Sequence, residues 1–250
     1  MAKISIVEHF YSIQGEGPLS GVPSVFIRFG GCNLRCEGFK TEYSLNKIKK
    51  IGCDSYYAVD QGFSENWREI NRVEDILEII FSYPVGRFKD IVITGGEPLI
   101  YAENRIFLEM LSYLKKHNFR ITIETNGTIY LKDRDEFKDI KYSIALKLSN
   151  SGEEFNKRFN IYSIHSIINK SKDCYFKFTL DNSAILKGTT FEVIKISKFF
   201  PDVPIYCMPV GATREEIDLN SQAVVKLCLN QGFIYSDRLQ VRIWNGKKGY

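Results

Sequence analysis

Short runs rich in Ile, Val, Phe and Tyr alternate along the chain with stretches of helical spacing, and this alternation restricts the fold more than any other feature. The expected strands are Val25–Phe29, Ile91–Thr94, Arg120–Glu124, Lys141–Lys147, Tyr175–Leu180, Pro204–Met208 and Leu239–Ile243. Most are apolar on both faces, as in a parallel sheet covered on each side by helices. Between them, Val73, Ile76, Leu77 and Ile80 share one helical face, and Ile106, Met110, Leu111 and Leu114 share another. Glu192–Phe200 and Arg214–Asn230 carry two further helical patterns, and Glu153–Asn169 a weaker one. Repeated βα units in 250 residues predict an α/β fold whose parallel sheet curls into a full or partial barrel. In such folds the chemistry sits on loops at the C-terminal ends of the strands. No internal repeat, low-complexity tract or Pro/Gly-rich linker divides the chain, so one domain over residues 1–250 is expected.

Hydrophobic residues make up 44% of the chain, enough for a sizeable core. The net charge of +4 is spread along the sequence, which suits small anionic ligands better than nucleic acid. There is no signal-peptide pattern and no apolar run of membrane-spanning length. Six cysteines in such a chain are expected to be reduced thiols of a cytoplasmic protein.

Three of those cysteines, Cys32, Cys36 and Cys53, follow the first expected strand at gaps of three and sixteen residues. Thiolates are soft ligands that suit zinc or iron–sulfur clusters. A closed zinc site takes four ligands at short paired spacings, whereas only three stand here, and the nearest histidine, His9, precedes the strand. An iron–sulfur cluster with three protein ligands leaves one iron open to a small molecule, which points to an enzyme. Ordinary buried thiols are the blander reading, and the one expected for Cys174, Cys207 and Cys228, each isolated in an apolar segment. A second motif, Thr94-Gly95-Gly96-Glu97-Pro98, closes the strand that begins at Ile91. Two glycines at a strand end let the backbone approach a ligand closely, or simply make a tight turn.

Together, Cys32-x3-Cys36…Cys53 and Thr-Gly-Gly-Glu-Pro resemble the radical S-adenosylmethionine (SAM) superfamily. In that superfamily three cysteines hold a 4Fe-4S cluster, and the amino and carboxylate groups of SAM chelate the fourth iron. Its usual spacing is Cys-x3-Cys-x2-Cys, so Glu37–Gly52 reads as an insertion in the cluster loop, at about 37–52. The charges of Lys40, Lys47, Lys49 and Lys50 are taken as a solvated surface. More specifically, the whole chain is similar to the 7-carboxy-7-deazaguanine synthase family. Phe10-Tyr-Ser-Ile-Gln-Gly-Glu-Gly17, Phe26-Ile-Arg-Phe-Gly-Gly-Cys-Asn-Leu-Arg-Cys36 and Cys53-Asp-Ser55 carry this likeness. So do Glu124-Thr-Asn-Gly127, Ala145-Leu-Lys-Leu-Ser-Asn-Ser-Gly152 and the ending Arg238–Tyr250.

The resemblance implies an incomplete, TIM-like βα barrel of the radical SAM type. It also implies conversion of 6-carboxy-5,6,7,8-tetrahydropterin to 7-carboxy-7-deazaguanine and ammonia, in the pathway to queuosine and other 7-deazapurines. Cluster and SAM would generate a 5′-deoxyadenosyl radical that takes hydrogen from C6 of the pterin, SAM being regenerated and Mg²⁺ binding the substrate. A flavodoxin or ferredoxin would donate electrons, and the protein would be a homodimer. By the same resemblance Cys32, Cys36 and Cys53 hold the cluster, and Ser55 stands where the family has a threonine bound to Mg²⁺. SAM would meet Gly52, Cys53, Asp54, Gly96, Glu124 and Ala145-Leu146-Lys147, the last replacing a frequent Ser-Pro-Lys. Substrate would meet Ile13, Gln14, Gly15, Glu16, Arg28, Thr94, Gln240 and Tyr250. Arg28 can pair bidentately with a carboxylate, or it can serve a barrel salt bridge. Glu16 can accept from the guanidine-like edge of a pterin, or it can be a surface acid. Gln240 replaces the histidine of many members, and Tyr250 either closes the site with its terminal carboxylate or frays. A glycyl-radical activating enzyme, which shares the cluster loop and Gly-Gly-Glu-Pro, and a non-catalytic zinc- or cluster-holding module remain as alternatives.

Overall fold

A computed structural model describes residues 3–38, 40–85, 89–186 and 188–247, so Tyr250 lies outside the described residues. The strands are β1 (Ile4–Ile13), β2 (Pro23–Phe29), β3 (Thr41–Leu45), β4 (Ile48–Gly52), β5 (Arg68–Ile70) and β6 (Asp90–Gly95). They continue with β7 (Arg120–Thr125), β8 (Ile140–Ile144), β9 (Ser171–Leu180), β10 (Ile205–Pro209) and β11 (Ile234–Tyr235). Nine of these form one sheet in the order β11-β10-β9-β8-β7-β6-β2-β1-β5. Every pairing from β2 to β11 is parallel. The edge is extended by β1, antiparallel to β2, and by β5, antiparallel to β1. The two ends of this order do not pair with each other, so the barrel is partial.

Helices α1 (Tyr56–Val59), α2 (Val73–Phe81), α3 (Arg105–Lys116), α4 (Phe155–Arg158) and α5 (Ile161–Ile168) are followed by α6 (Asn182–Leu186), α7 (Thr190–Phe199), α8 (Arg214–Gln231) and α9 (Leu239–Trp244). The Asn104 side chain starts α3 by accepting from the N–H groups of Ile106 and Phe107, and Phe107, Met110, Leu111 and Leu114 turn inward. A Thr213–Glu216 capping box starts α8, which stops at Gly232 with φ +71°. Phe29, Phe107, Phe137, Tyr142, Phe176 and Phe178 fill the core. At the N-terminal ends of the strands, buried Asp90 accepts from Ser24 Oγ at 2.6 Å and pairs with Arg120, binding β2, β6 and β7 together away from the site. Among the described residues no helix is long and apolar enough to cross a membrane.

Three expectations need correction. Leu239–Ile243 is the helix α9 rather than a strand, because β11 already occupies the sheet edge beside β10. Its Leu-x-Val-x-Ile alternation mimics a strand, but only Val241 is buried. Glu153–Asn169 breaks into α4 and α5, separated at Phe159-Asn160, where the Asn160 side chain caps the second helix. The insertion at 37–52 is the hairpin β3–β4, turned by Asn46 and Lys47 at φ +51° and +66°. Lys40, Lys47 and Lys49 are exposed as expected, but Lys50 pairs with Asp60 at 2.8 Å, and Tyr43, which stacks on Tyr56, donates to the same Asp60 oxygen. The N-terminal strand β1, with Glu8 and His9 inside it, was not anticipated from the alternation of apolar runs.

Candidate active site

A cavity of about 320 Å³ opens at the C-terminal ends of the parallel strands. Arg28 from β2, Thr94 from β6, Glu124 from β7 and Lys177 from β9 line it, together with Ala145 and Lys147 beyond β8. The register sets Arg28 beside Thr94, whose hydroxyl donates to Glu124 Oε2 at 2.8 Å. The opposite wall is the turn Ile13-Gln14-Gly15-Glu16 after β1, against Arg238 and Gln240 at the start of α9. Stacked Phe10 and Phe26, 4.9 Å between centroids, give the cavity an apolar, aromatic side. Asp54 and Ser55 lie on its rim.

Charge inside the cavity is paired. Lys177 Nζ lies 2.9 Å from Glu16 Oε2 and 3.3 Å from Glu124 Oε1. Glu16 Oε1 takes Arg238 Nε at 3.1 Å and Gln240 Nε2 at 2.7 Å. Burial alone would raise the Glu16 carboxyl, but Lys177, Arg238 and Gln240 outweigh it and hold it near 2. Burial likewise works against the charge of Lys177, and Glu124 and Glu16 reverse that, raising its pKa. Gln240 points its amide nitrogen at Glu16 because the reverse orientation would set two oxygens together. Its Oε1 is then buried, with no hydrogen-bond partner among the described residues. Arg28 gives Nε to Glu8 Oε1 at 2.6 Å, and Tyr57 OH donates to the same oxygen at 2.9 Å. The barrel salt bridge and the cavity-lining position of Arg28 thus coexist.

Of the three cysteines, Cys32 lies beside Gly96 at the edge of this cavity, its Cβ 3.0 Å from where a Cβ at Gly96 would stand. The thiols of Cys32, Cys36 and Cys53 are half-buried and free. Glycine at 38 lets the loop return, since a Cβ there would come within 2.7 Å of Cys53 Cα. The hairpin β3–β4 takes up the later part of the sixteen-residue gap, from Thr41 to Gly52, which pair with each other at its base. Cys36 and Cys53 face a common hollow of about 100 Å³ that also touches Ala145, Leu146 and Lys147. Gly52 is buried at the base of the hairpin, and Leu146 is buried in the core as well as bordering that hollow. Burial pushes Cys32 up to about 12 and Cys36 to about 11, and also raises Cys53, while Lys147 pulls all three down.

Side chains tie the cysteine loop to its neighbours. Asn33 donates to Thr128 Oγ1 at 2.8 Å and accepts from Asn126 Nδ2 at 3.0 Å. Glu97, fully buried, accepts from the N–H groups of Leu99 and Asn126 and from Thr125 Oγ1. Burial raises its carboxyl to about 7, and those three donors draw it back toward the ionised form. Cβ atoms at Gly95 and Gly96 would meet the carbonyl oxygens of Phe29 and Gly31 at 2.2 and 2.3 Å. Both glycines are therefore needed to seat the cysteine loop, whatever else they approach.

The donor set suits a polynuclear cluster. Among the described residues no three His, Cys, Asp or Glu side chains are arranged to hold one metal ion. A single zinc ion would need its sulfurs within roughly 4 Å of one another. A cluster gives each thiolate its own iron, so the three sulfurs need not converge on one ion. Coordination would also displace the thiol protons that burial retains.

Sequence reasoning missed Glu8, Lys177, Arg238 and the Glu97–Asn126 contact. A signal existed for Lys177 alone: it is the lysine inside Tyr175-Phe-Lys-Phe-Thr179, sharing a strand face with Tyr175 and Thr179.

The radical SAM superfamily pattern matches residues 26–200. A 7-carboxy-7-deazaguanine synthase of Halobacterium salinarum is 30% identical across 97% of this chain and 91% of its own. One from Rhodopirellula baltica is 28% identical across 99% and 89%, and one from Aquifex aeolicus 33% identical across 76% and 72%. The crystal structure of QueE from Escherichia coli matches with a TM-score of 0.64 at 20% identity, over 95% of this chain and 94% of that one, a likeness of fold.

Proposed function

The chain belongs to the radical SAM superfamily and, within it, to the 7-carboxy-7-deazaguanine synthase family, and from that membership we propose the following reaction and site. The enzyme is a carbon–nitrogen lyase of queuosine and 7-deazapurine biosynthesis. It converts 6-carboxy-5,6,7,8-tetrahydropterin to 7-carboxy-7-deazaguanine and ammonia. Product and ammonia together contain every atom of the substrate, so no net oxidant is needed and SAM can be returned unchanged. The observation that carries the reading is the shared cavity: Gly96, beside the cysteine loop, and the Gln14–Glu16 turn with Gln240 line one space.

Cys32, Cys36 and Cys53 would hold the 4Fe-4S cluster, with SAM against Gly52, Cys53, Asp54, Gly96, Glu124 and Ala145–Lys147. Bound together, cluster and SAM supply a carbon radical able to remove hydrogen from the pterin. The side chains orient the substrate for that step. Arg28 clamps the pterin carboxylate with the guanidinium nitrogens that Glu8 leaves over. Glu16, already a carboxylate, accepts from the amino and ring N–H groups of the heterocycle, whose face lies against Phe10 and Phe26. Gln240, which stands where many relatives have histidine, meets the substrate beside Glu16, whose carboxylate its amide nitrogen holds. Thr94 and the Ile13–Gly15 turn complete the contacts. Ser55 and neighbouring Asp54 offer hard oxygens to Mg²⁺, which usually keeps few protein ligands and fills its shell from substrate and water.

The rest of the reading is a single domain over 1–250 with the insertion at about 37–52, a homodimer, a cytoplasmic location and a flavodoxin or ferredoxin as electron donor. Tyr250 is proposed as a substrate contact. The test is an anaerobic assay with carboxytetrahydropterin, SAM, Mg²⁺ and a strong reductant. Formation of 7-carboxy-7-deazaguanine and ammonia, with SAM not consumed, is expected. Steady cleavage of SAM while the pterin stays intact would overturn the substrate.

A further inference from the structure

We propose that Lys177 is a positioning residue for the substrate, bridging the heterocycle wall at Glu16 to the SAM wall at Glu124 so that the two walls are aligned as one unit. This rests on the pterin reading above. Lys177 is separated from Glu16 by 161 residues and from Glu124 by 53, yet its Nζ contacts both. Its side chain is only 11% exposed and lines the cavity. Each acid spends its other oxygen elsewhere, Glu16 on Arg238 and Gln240, Glu124 on Thr94. The lysine is thus the direct link between the two groups of hydrogen bonds.

Stability is a poor explanation for such a residue. A buried ion pair is often neutral or worse when compared with apolar side chains of the same volume. Alignment explains it better. Glu16 sits on a loop, whereas Lys177 and Glu124 sit on parallel strands separated by β8. Anchoring the loop acid to two strand residues fixes where its free lone pairs face the cavity. The charged and titratable groups around this contact are Glu16, Glu124, Tyr175 on the same strand face, Arg238 from the start of α9, and Arg28, which acts on Glu124 from β2. Without the ammonium, two carboxylates would share one buried wall, and like charges at such a site keep a proton that isolated acids would lose.

The test titrates 6-carboxypterin, a non-reacting relative of the substrate, into cluster-loaded protein with SAM, by calorimetry between about pH 5 and 7.5. The wild-type affinity is expected to stay level over that range. Lys177→Met should bind roughly tenfold to a hundredfold more weakly at the acid end and recover toward the alkaline end. Lys177→Arg should keep the level profile, and removing one acid as well, in Glu124→Gln/Lys177→Met, should level it again. Lys177→Gln, which keeps donors without charge, should behave as Lys177→Met does and replaces it if that variant fails to fold. A neutral variant with a level profile, whether its affinity is unchanged or uniformly lower, would overturn the positioning role. Wild-type protein that ignores 6-carboxypterin would overturn both this role and the pterin reading.

Discussion

Gly15 and Gln240 interlock: a Cβ at position 15 would fall 1.8 Å from Gln240 Oε1. The backbone joins them too, since Leu239 N donates to Gly15 O at 2.9 Å. The turn that follows β1 and the start of α9 therefore form one wall of the cavity, and the close packing buries the amide oxygen of Gln240, which has no hydrogen-bond partner among the described residues. Gly15→Ala should displace Gln240 and cost about 1–3 kcal/mol in stability, with a raised KM for the pterin. Adding Gln240→Ala should restore most of the stability but not the KM. Thermal unfolding and steady-state kinetics of the single and double variants check both, and full recovery of KM would remove Gln240 from the substrate wall.

Each of Cys32, Cys36 and Cys53 is expected to be required for the cluster. Alanine at any one should lower iron and sulfide content after anaerobic reconstitution and abolish SAM cleavage. Buried Cys174, Cys207 and Cys228 should be dispensable for both. Normal cluster content and activity in Cys53→Ala would sink the assignment.

Arg28→Ala should weaken pterin binding by about 1.5–3 kcal/mol, roughly tenfold to a hundredfold, with little change for SAM. Because Glu8 holds the guanidinium from behind, Glu8→Gln should act in the same direction and more mildly. Separate titrations with pterin and SAM distinguish a clamp from a general loss of fold. Equal weakening of both ligands would count against the clamp.

Glu16 makes acid stability predictable in sign. Its carboxyl is held near 2 in the fold against an ordinary 4.5. Its ion pairs therefore contribute fully above about pH 4.5, and the contribution is lost as pH falls through the folded value near 2. The effect is on the order of 3 kcal/mol at most. Denaturant melts of wild type and Glu16→Gln at neutral and acid pH should converge as pH drops. Parallel acid limbs would contradict this.

Ser55→Ala should raise the Mg²⁺ concentration needed for turnover, whereas Ser55→Thr should preserve it. Among the described residues the Ser55 hydroxyl makes one long contact, 3.4 Å to Asp54 Oδ1, so it has little structural work to lose. Activity independent of Mg²⁺ in wild type and variant alike would reassign Ser55 to the loop backbone.

The sheet and the cysteine loop were readable in the sequence because parallel strands buried on both faces leave continuous apolar runs, and because soft ligands cluster visibly. The polar wall was less so. Seeing Lys177 between Glu16 and Glu124 requires knowing that β9 lies two strands from β7, a fact of topology that local pattern does not contain. Glu8 became a partner of Arg28 only through the antiparallel register of β1 and β2, in which the two residues stand opposite each other. β1 itself escaped notice because a register shift between Ile6 and Glu8 interrupts the alternation of its apolar residues. At Leu239–Trp244 the alternation was real, but a neighbouring two-residue strand had already taken the available edge.

The hairpin between Cys36 and Cys53 leaves from Thr41 and returns at Gly52, its hydrogen-bonded partner. Residues can therefore be added or removed in opposing pairs along β3 and β4 without moving its base. The number of residues between these two cysteines can then vary, provided that the closure at the base and the contacts of Tyr43 and Lys50 with Asp60 are kept. A search pattern that demands a fixed count there would pass over this chain. One that demands two short strands joined by a turn would find it, and would accept a hairpin of another length equally.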